Sequence, residues 1–272
     1  MTGASAFVPG HVTGFFSVHE DDDPTKAGSR GAGVALADGV TVRLEPGEGV
    51  ELNGDPCDIE AVARVLDALR STAHVVVETE LPPSTGFGVS GAAALGTALA
   101  ANAVFDRGLS ENELVTIAHG AEVQAGTGLG DVVAQARGGV PVRLEPGAPA
   151  HGVMDGIPAT RDVEYLARGE LRTADVLTGD TEAITEAGRQ ALSALVAEPT
   201  VSTFMRVSRE FARETGLLTS EVRDVIRDVA ETGGEATMAM LGETVFALDT
   251  GLTDAGYDAE RCSMSLAGAH LE

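Results

Sequence analysis

Positive charge is scarce in this chain. Its 272 residues carry 18 basic side chains against 42 acidic ones, a formal net charge of −24. Lys26 is the one lysine; every other basic side chain is arginine. Such a surface repels phosphate backbones and anionic lipid, which excludes nucleic acid and anionic membranes as partners. No run of eighteen apolar residues and no signal segment is present, so the sequence predicts a soluble, cytoplasmic protein. The two cysteines, Cys57 and Cys262, stand far apart without metal-ligand spacing, and two unpaired thiols are expected. No internal repeat or low-complexity tract occurs. With 43% hydrophobic and 22% charged residues, the chain is globular and long enough for one or two domains. The acidic excess and near-absence of lysine read as adaptation to molar salt, which screens self-repulsion.

What is abundant is glycine, and it is concentrated where it matters in PPSTGFGVSGAAALGTAL, residues 82–99. Gly86, Gly88 and Gly91 lack Cβ atoms, so backbone N–H groups can turn towards an anion. A helix starting near Gly88 or Val89 adds free N–H groups and the positive end of its dipole. Gly86-x-Gly88-x-x-Gly91 has the letters of a dinucleotide fingerprint, but two prolines and a serine separate it from its strand. The acid about twenty residues on, Asp106, follows a helix rather than a strand. A Walker P-loop is excluded because no lysine follows the turn. The plainest alternative is a glycine-rich helix start that binds nothing.

Periodicity lays out the rest. Residues 4–18 read as one or two strands broken at Pro9-Gly10, and 34–37 as a strand. TVRLEPGEGVELNG reads as a hairpin turning at Pro46-Gly47. Apolar spacing predicts a helix over 58–70, and β-branched residues predict a strand over 74–81. Ser110-x-x-Glu113 is a capping box. Asp131 opens a short helix, and 140–144 is a strand. Prolines and glycines between 146 and 158 mark a domain boundary. Beyond it the pattern is β, then helices over 181–196, 201–214 and 220–230, then strands over 236–241, 244–248 and near the C-terminus.

PPSTGFGVSGAA resembles the PxxxGLGSSAA motif of the GHMP kinase superfamily, with Phe87, Val89 and Gly91 as departures. The resemblance implies that Pro83, Ser84, Gly86, Gly88, Val89, Ser90, Gly91 and Ala92 wrap the phosphates of ATP. It assigns Ser90 and Glu122 to Mg²⁺. It makes Asp131, seven residues before Gly138-Gly139, the candidate base for the acceptor hydroxyl. Helix capping is the plainer role for Asp131 and Glu122. His11 stands in place of the lysine usual in the first motif and receives no role.

AFVPGHVTGFF, GSRGAG, AEVQAGTGLGDVVAQARGG and MAMLGETVFAL together resemble the archaeal pantoate kinase branch of that superfamily. This implies ATP-dependent phosphorylation of the 4-hydroxyl of pantoate, in archaeal coenzyme A biosynthesis. Arg143, His119, Ser29 and Thr173 would then form the acceptor pocket, an arginine fork being suited to a carboxylate. The plainer roles are a solvated arginine, a core histidine, a turn serine and a helix cap. The implied fold is α+β (mixed α/β) in two domains. Residues 1–150 would be ribosomal-protein-S5-like and hold the phosphate loop and Asp131; residues 151–272 would be ferredoxin-like. A homodimer is compatible with the resemblance. Two alternatives remain: another small-molecule GHMP kinase of homoserine or shikimate type, and an inactive ligand sensor of the same fold.

Overall fold

The computed structural model describes residues 4–170, 181–240 and 242–272. Two long strands, β1 (Ser5–His19) and β2 (Gly28–Glu45), pair antiparallel along nearly their whole length. Their register shifts between Pro9 and Gly10 and again between Thr13 and Phe15. Pro9 and Gly10 therefore bend one strand rather than separating two, since an extra residue in a ladder kinks and twists it. The bend lets β2 serve two neighbours. Val40 to Glu45 pair with β5 (His74–Thr79), and Gly31 and Ala32 pair with β6 (Val140–Glu145).

The expected hairpin at Pro46-Gly47 does not form. The chain does turn there, but β3 (Gly49–Leu52) skips β2 and pairs parallel with β5, while β4 (Asp55–Cys57) pairs with β3. The β-branched run of β5 is the better neighbour for β2, and it takes the place between β2 and β3. Local turn chemistry was overridden by burial. With β7 (Val153–Ile157) on β6 and β12 (His270–Leu271) on β1, the sheet has eight strands.

Helices α1 (Glu60–Ala68), α2 (Val89–Val104), α3 (Glu111–Ala125) and α4 (Asp131–Arg137) complete this unit. α2 is buried on nearly every side. Its alanines and glycines permit that close approach: a Cβ on Gly96 would stand 2.6 Å from Val42 Cγ2. The predicted capping box starts α3, with Ser110 and Glu113 bonding each other's backbone N–H groups.

The second unit is built on β8 (Asp162–Glu170), followed by α5 (Thr181–Ala197), α6 (Val201–Glu214) and α7 (Ser220–Glu231). Then come β9 (Ala236–Ala239), β10 (Gly242–Leu248), α8 (Gly251–Asp254) and β11 (Glu260–Ser263). The strands lie β11-β8-β10-β9, all antiparallel. Numbered within the unit that order is 4-1-3-2, the arrangement of a ferredoxin-like sheet. Residues 150/151 fall between β6 and β7, which share the first sheet, and the second sheet begins at β8.

The units are joined by backbone brought very close. A Cβ on Gly188 of α5 would fall 2.0 Å from the Phe16 carbonyl oxygen, and one on Gly14 2.7 Å from the Phe204 ring. Phe15 and Phe16 meet Phe211 with ring centroids 6.4 and 5.7 Å apart.

Candidate active site

The phosphate turn runs from the end of β5 into α2. Its backbone has positive φ at Ser84, Gly86 and Gly88 (62°, 96° and 66°). Gly88 is the N-cap of α2, and no side chain caps that helix start. Its first N–H groups are therefore available to an anion. The second unit braces the turn from outside. Thr244 Oγ1 donates to the Thr85 carbonyl at 2.8 Å. A Cβ on Gly242 would stand only 1.9 Å from that same carbonyl oxygen. The His11 N–H donates to the Phe87 carbonyl at 3.0 Å, tying β1 to the turn.

Across the start of α2 lie two carboxylates. Glu122, near the end of α3, is buried. Its Oε1 accepts from Ser90 Oγ at 2.6 Å and from Thr127 Oγ1 at 2.9 Å. Burial pushes its carboxyl up to about 7, against the two hydroxyl hydrogen bonds. Asp131 is the first residue of α4; the N-cap is Gly130, with no side-chain cap bond, so Asp131 does not cap its helix. Its Oδ1 instead accepts from His11 Nδ1 at 2.7 Å. Burial acts to raise the Asp131 carboxyl, but the hydrogen bond from His11 and the charge of Arg143 outweigh it and hold it below the ordinary value. The second oxygens converge: a Cβ on Gly128 would stand 2.4 Å from Glu122 Oε2 and 3.6 Å from Asp131 Oδ2.

Behind Asp131 lies a buried cation. Arg143, on β6, is 2% exposed, and its Nε and Nη1 have no partner among the described residues. Burial lowers its pKa, and Asp131 opposes that. Ser29 and Arg143 meet at Gly130, where a Cβ would be 2.6 Å from both Ser29 Oγ and Arg143 Nε. Ser29 Oγ donates to the Leu129 carbonyl at 3.3 Å. His119, buried on the same side of α3, has Nε2 2.9 Å from the Ala27 carbonyl oxygen. Burial lowers its pKa, so the ring is neutral and Nε2–H is the donor.

A glycine-lined helix start, a hydroxyl–carboxylate pair, an ionised aspartate and an unpaired buried arginine form one site. The sequence profile of the GHMP kinases N terminal domain matches residues 59–139, which hold the first three of these. Curated relatives that span about nine-tenths of the chain include pantoate kinases. A pantoate kinase of Thermococcus kodakarensis is 38% identical over 262 residues, covering 89% of this chain and 86% of that protein. One of Methanocaldococcus jannaschii is 34% identical, covering 89% and 91%. The chain belongs to the GHMP kinase family. A solved structure described as a phosphotransferase related to the CoA biosynthesis pathway superposes with a TM-score of 0.88 at 32% identity, covering 100% of this chain and 99% of that one. The two-unit α+β fold is therefore that of the GHMP kinases.

Within this GHMP kinase, Ser90, Glu122 and Asp131 come together, and Ser29, His119 and Arg143 lie behind them. Pro83 and Ser84 are on the exposed side of the turn, and Val89 and Ala92 are buried in the first turn of α2. Thr173 lies outside the described residues. Four participants were given no role from sequence, although His11 was noted there as standing in place of a lysine. His11 holds Asp131. Thr127 shares Glu122 with Ser90. Gly128 admits Glu122 Oε2. Gln135 Nε2 donates to the Gly88 carbonyl at 3.0 Å, fastening α4 to the phosphate turn. The GTGLGD run flagged Gly128 and Thr127 only as small residues; nothing local marked Gln135.

Among the described residues no group of three or more His, Cys, Asp and Glu could hold a metal ion. Mg²⁺ in nucleotide sites takes one or two carboxylates plus phosphate oxygens and water. A serine hydroxyl, Glu122 and a Gly128 gap beside Oε2 form an oxygen-only donor set of that kind. No helix among the described residues is long and apolar enough to cross a membrane.

Proposed function

We propose that the protein is a pantoate kinase that transfers a phosphoryl group from ATP to the 4-hydroxyl of pantoate. The observation that carries the acceptor assignment is Arg143. A buried guanidinium with two unpartnered nitrogens is expensive unless an anion completes it. The carboxylate of a small hydroxy acid fits that need, and Ser29 and His119 lie beside it as further polar contacts. The resemblance to pantoate kinases over about nine-tenths of the chain supports the same substrate.

In this reading the N–H groups at the start of α2 and the backbone of Gly86 to Gly91 receive the nucleotide phosphates. Ser90 and Glu122 are the protein's contribution to Mg²⁺, which when bound neutralises charge on the phosphate oxygens during transfer. Asp131, held ionised, accepts the hydrogen bond of the acceptor hydroxyl and aims its oxygen at the phosphoryl group. Transfer of this type has a loose transition state, so aiming is the larger part of the contribution and proton removal the smaller. Pro83 and Ser84 form the outer wall of the nucleotide cradle, and Val89 and Ala92 fix its inner turn. The acidic, lysine-poor composition supports adaptation to high salt.

The test is phosphoryl transfer from ATP-Mg²⁺ in molar salt with pantoate, homoserine, shikimate and mevalonate as acceptors. Selective turnover of pantoate is expected. Asp131→Ala should abolish turnover and leave nucleotide binding intact. Preference for another acid would remove the pocket assignment, and absence of turnover with every acceptor would favour a ligand sensor.

A further inference from the structure

His11 is 0% exposed, and its backbone and side chain serve the two halves of the site at once. The N–H holds the phosphate turn through the Phe87 carbonyl. Nδ1 lies 2.7 Å from Asp131 Oδ1. The ring occupies space left by Gly33 of β2, where a Cβ would fall 2.2 Å from Nε2 and 2.7 Å from Cε1. Nε2 is buried there and has no partner among the described residues.

These contacts fix the tautomer. Asp131 is an acceptor, so the proton of the shared hydrogen bond sits on Nδ1. Nε2 faces β2 without an acceptor. A protonated Nε2 would be a charged donor left buried and unpaired, which is far more costly than an idle lone pair. Arg143 adds a positive charge on the other side of Asp131. A neutral ring with Nδ1–H is the state that satisfies all of these neighbours.

We propose that His11 is a positioning residue for phosphoryl transfer, a neutral Nδ1–H donor that pins Oδ1 of Asp131 and thereby makes Oδ2 the oxygen that meets the acceptor hydroxyl. The inference rests on Asp131 acting at that hydroxyl. Oδ2 faces Gly128, where a Cβ would stand 3.6 Å from it and 2.4 Å from Glu122 Oε2. Oδ1 is the oxygen already engaged by the ring of His11 on β1. A neutral donor orients the carboxylate without cancelling its charge. A lysine in that position would orient it and neutralise it as well. Gly33 belongs to the same device, because any side chain there would evict the ring.

The test combines three variants with a spectroscopic measurement. His11→Leu keeps the bulk and removes the donor. His11→Asn puts an amide N–H at the same δ position, bonded to Cγ as Nδ1 is. Asp131→Ala reports on the reading beneath. His11→Leu is expected to lower kcat about 10- to 100-fold, the scale of a misaimed reacting group, with KM for ATP unchanged within about twofold. His11→Asn should recover to within about fivefold of the unaltered enzyme, since the hydrogen bond to Asp131 survives. In parallel, ring-nitrogen NMR of histidine-labelled protein, with the His11 signals identified by their loss in His11→Asn, should show the neutral Nδ1–H form at pH 7. Full kcat in His11→Leu, an Asn variant no better than Leu, an imidazolium, or an Nε2–H tautomer would each overturn the proposal. If His11→Leu does not fold, the spectrum and the Asn variant decide. Normal turnover in Asp131→Ala would instead overturn the function assigned to Asp131, a failure distinct from the others.

Discussion

Glu122→Gln should make the unliganded protein more stable while abolishing catalysis. The carboxyl is 2% exposed, and burial raises its pKa from the ordinary 4.5 to about 7. The sign follows from linkage. The folded state holds this proton more tightly than the unfolded chain does, so the contribution is fully favourable below about pH 4.5. It is then lost as pH rises to about 7. A tenfold change in proton affinity is about 1.4 kcal/mol, so the loss amounts to about 3 kcal/mol once pH exceeds 7. Glutamine keeps an acceptor oxygen for Ser90 and Thr127 and has no charge to bury. At pH 8 the variant should gain about 1–3 kcal/mol, part of the 3 being lost to imperfect placement of its NH₂ group. For a chain of this size that is roughly 3–10 °C in Tm. At pH 5 the gain should shrink below about 1 kcal/mol. Urea unfolding in molar salt at both pH values, without nucleotide or metal, measures it. A variant no more stable than the parent at pH 8, or one with a gain independent of pH, would refute a buried, strained charge at Glu122. Retained Mg²⁺-dependent turnover would refute its place beside the metal.

Three other perturbations probe separate parts of the site. Arg143→Lys should raise KM for the acceptor about 10- to 100-fold with KM for ATP nearly unchanged, because an ammonium cannot reproduce a two-pronged guanidinium contact; equal rises in both KM values would count against a carboxylate pocket. Gly88→Ala places a Cβ 3.0 Å from Gln135 Nε2 at φ 66°, so it should weaken nucleotide binding about tenfold and cost about 1 kcal/mol of stability, and calorimetry showing unchanged ATP affinity would remove the turn from the nucleotide site. Lowering salt from about 2 M to about 0.05 M lengthens the screening distance several-fold, and with a net charge of −24 the midpoint of urea unfolding should fall; an unchanged midpoint would argue against salt adaptation.

Most of the site was legible because its motifs are local. The phosphate turn is readable as glycines followed by a helix former, and Ser110-x-x-Glu113 announced the start of the helix that carries Glu122. The resemblance to the family motif pointed to Asp131 through its interval to Gly138-Gly139, a pattern within one segment. What escaped depends on side-chain contacts that no motif spacing marks, from Thr127 on nearby Glu122 to Gln135 on Gly88, 47 residues away. His11 and Asp131 are 120 positions apart, and the ring reaches α4 across the space that Gly33 leaves on β2. The Pro46-Gly47 turn failed for the same reason in reverse. Its local chemistry is that of a hairpin, but the partner that wins β2 is β5, whose Val75, Val76 and Val77 bury more apolar surface than β3 offers.

The electrostatics of the site connect these parts into an order of charging. Before ligands arrive, Asp131 and Arg143 are ionised with opposite signs. His11 and His119 are neutral, and Glu122 is close to its own pKa near pH 7. Of these groups Glu122 is the one poised to change, and under the proposed assignment a divalent cation bound beside it would displace its proton. A −24 surface draws cations generally, so selectivity has to come from this inner arrangement. Below pH 7, metal affinity should rise up to tenfold per pH unit and then level off, with about one proton released per ion bound in the acid range. Asp131, held low by His11 and Arg143, stays charged through the same range and does not compete for that proton. Two carboxylates whose second oxygens flank one glycine thus keep separate tasks because their other oxygens face different partners: two hydroxyls on Glu122, and a neutral imidazole backed by a guanidinium on Asp131.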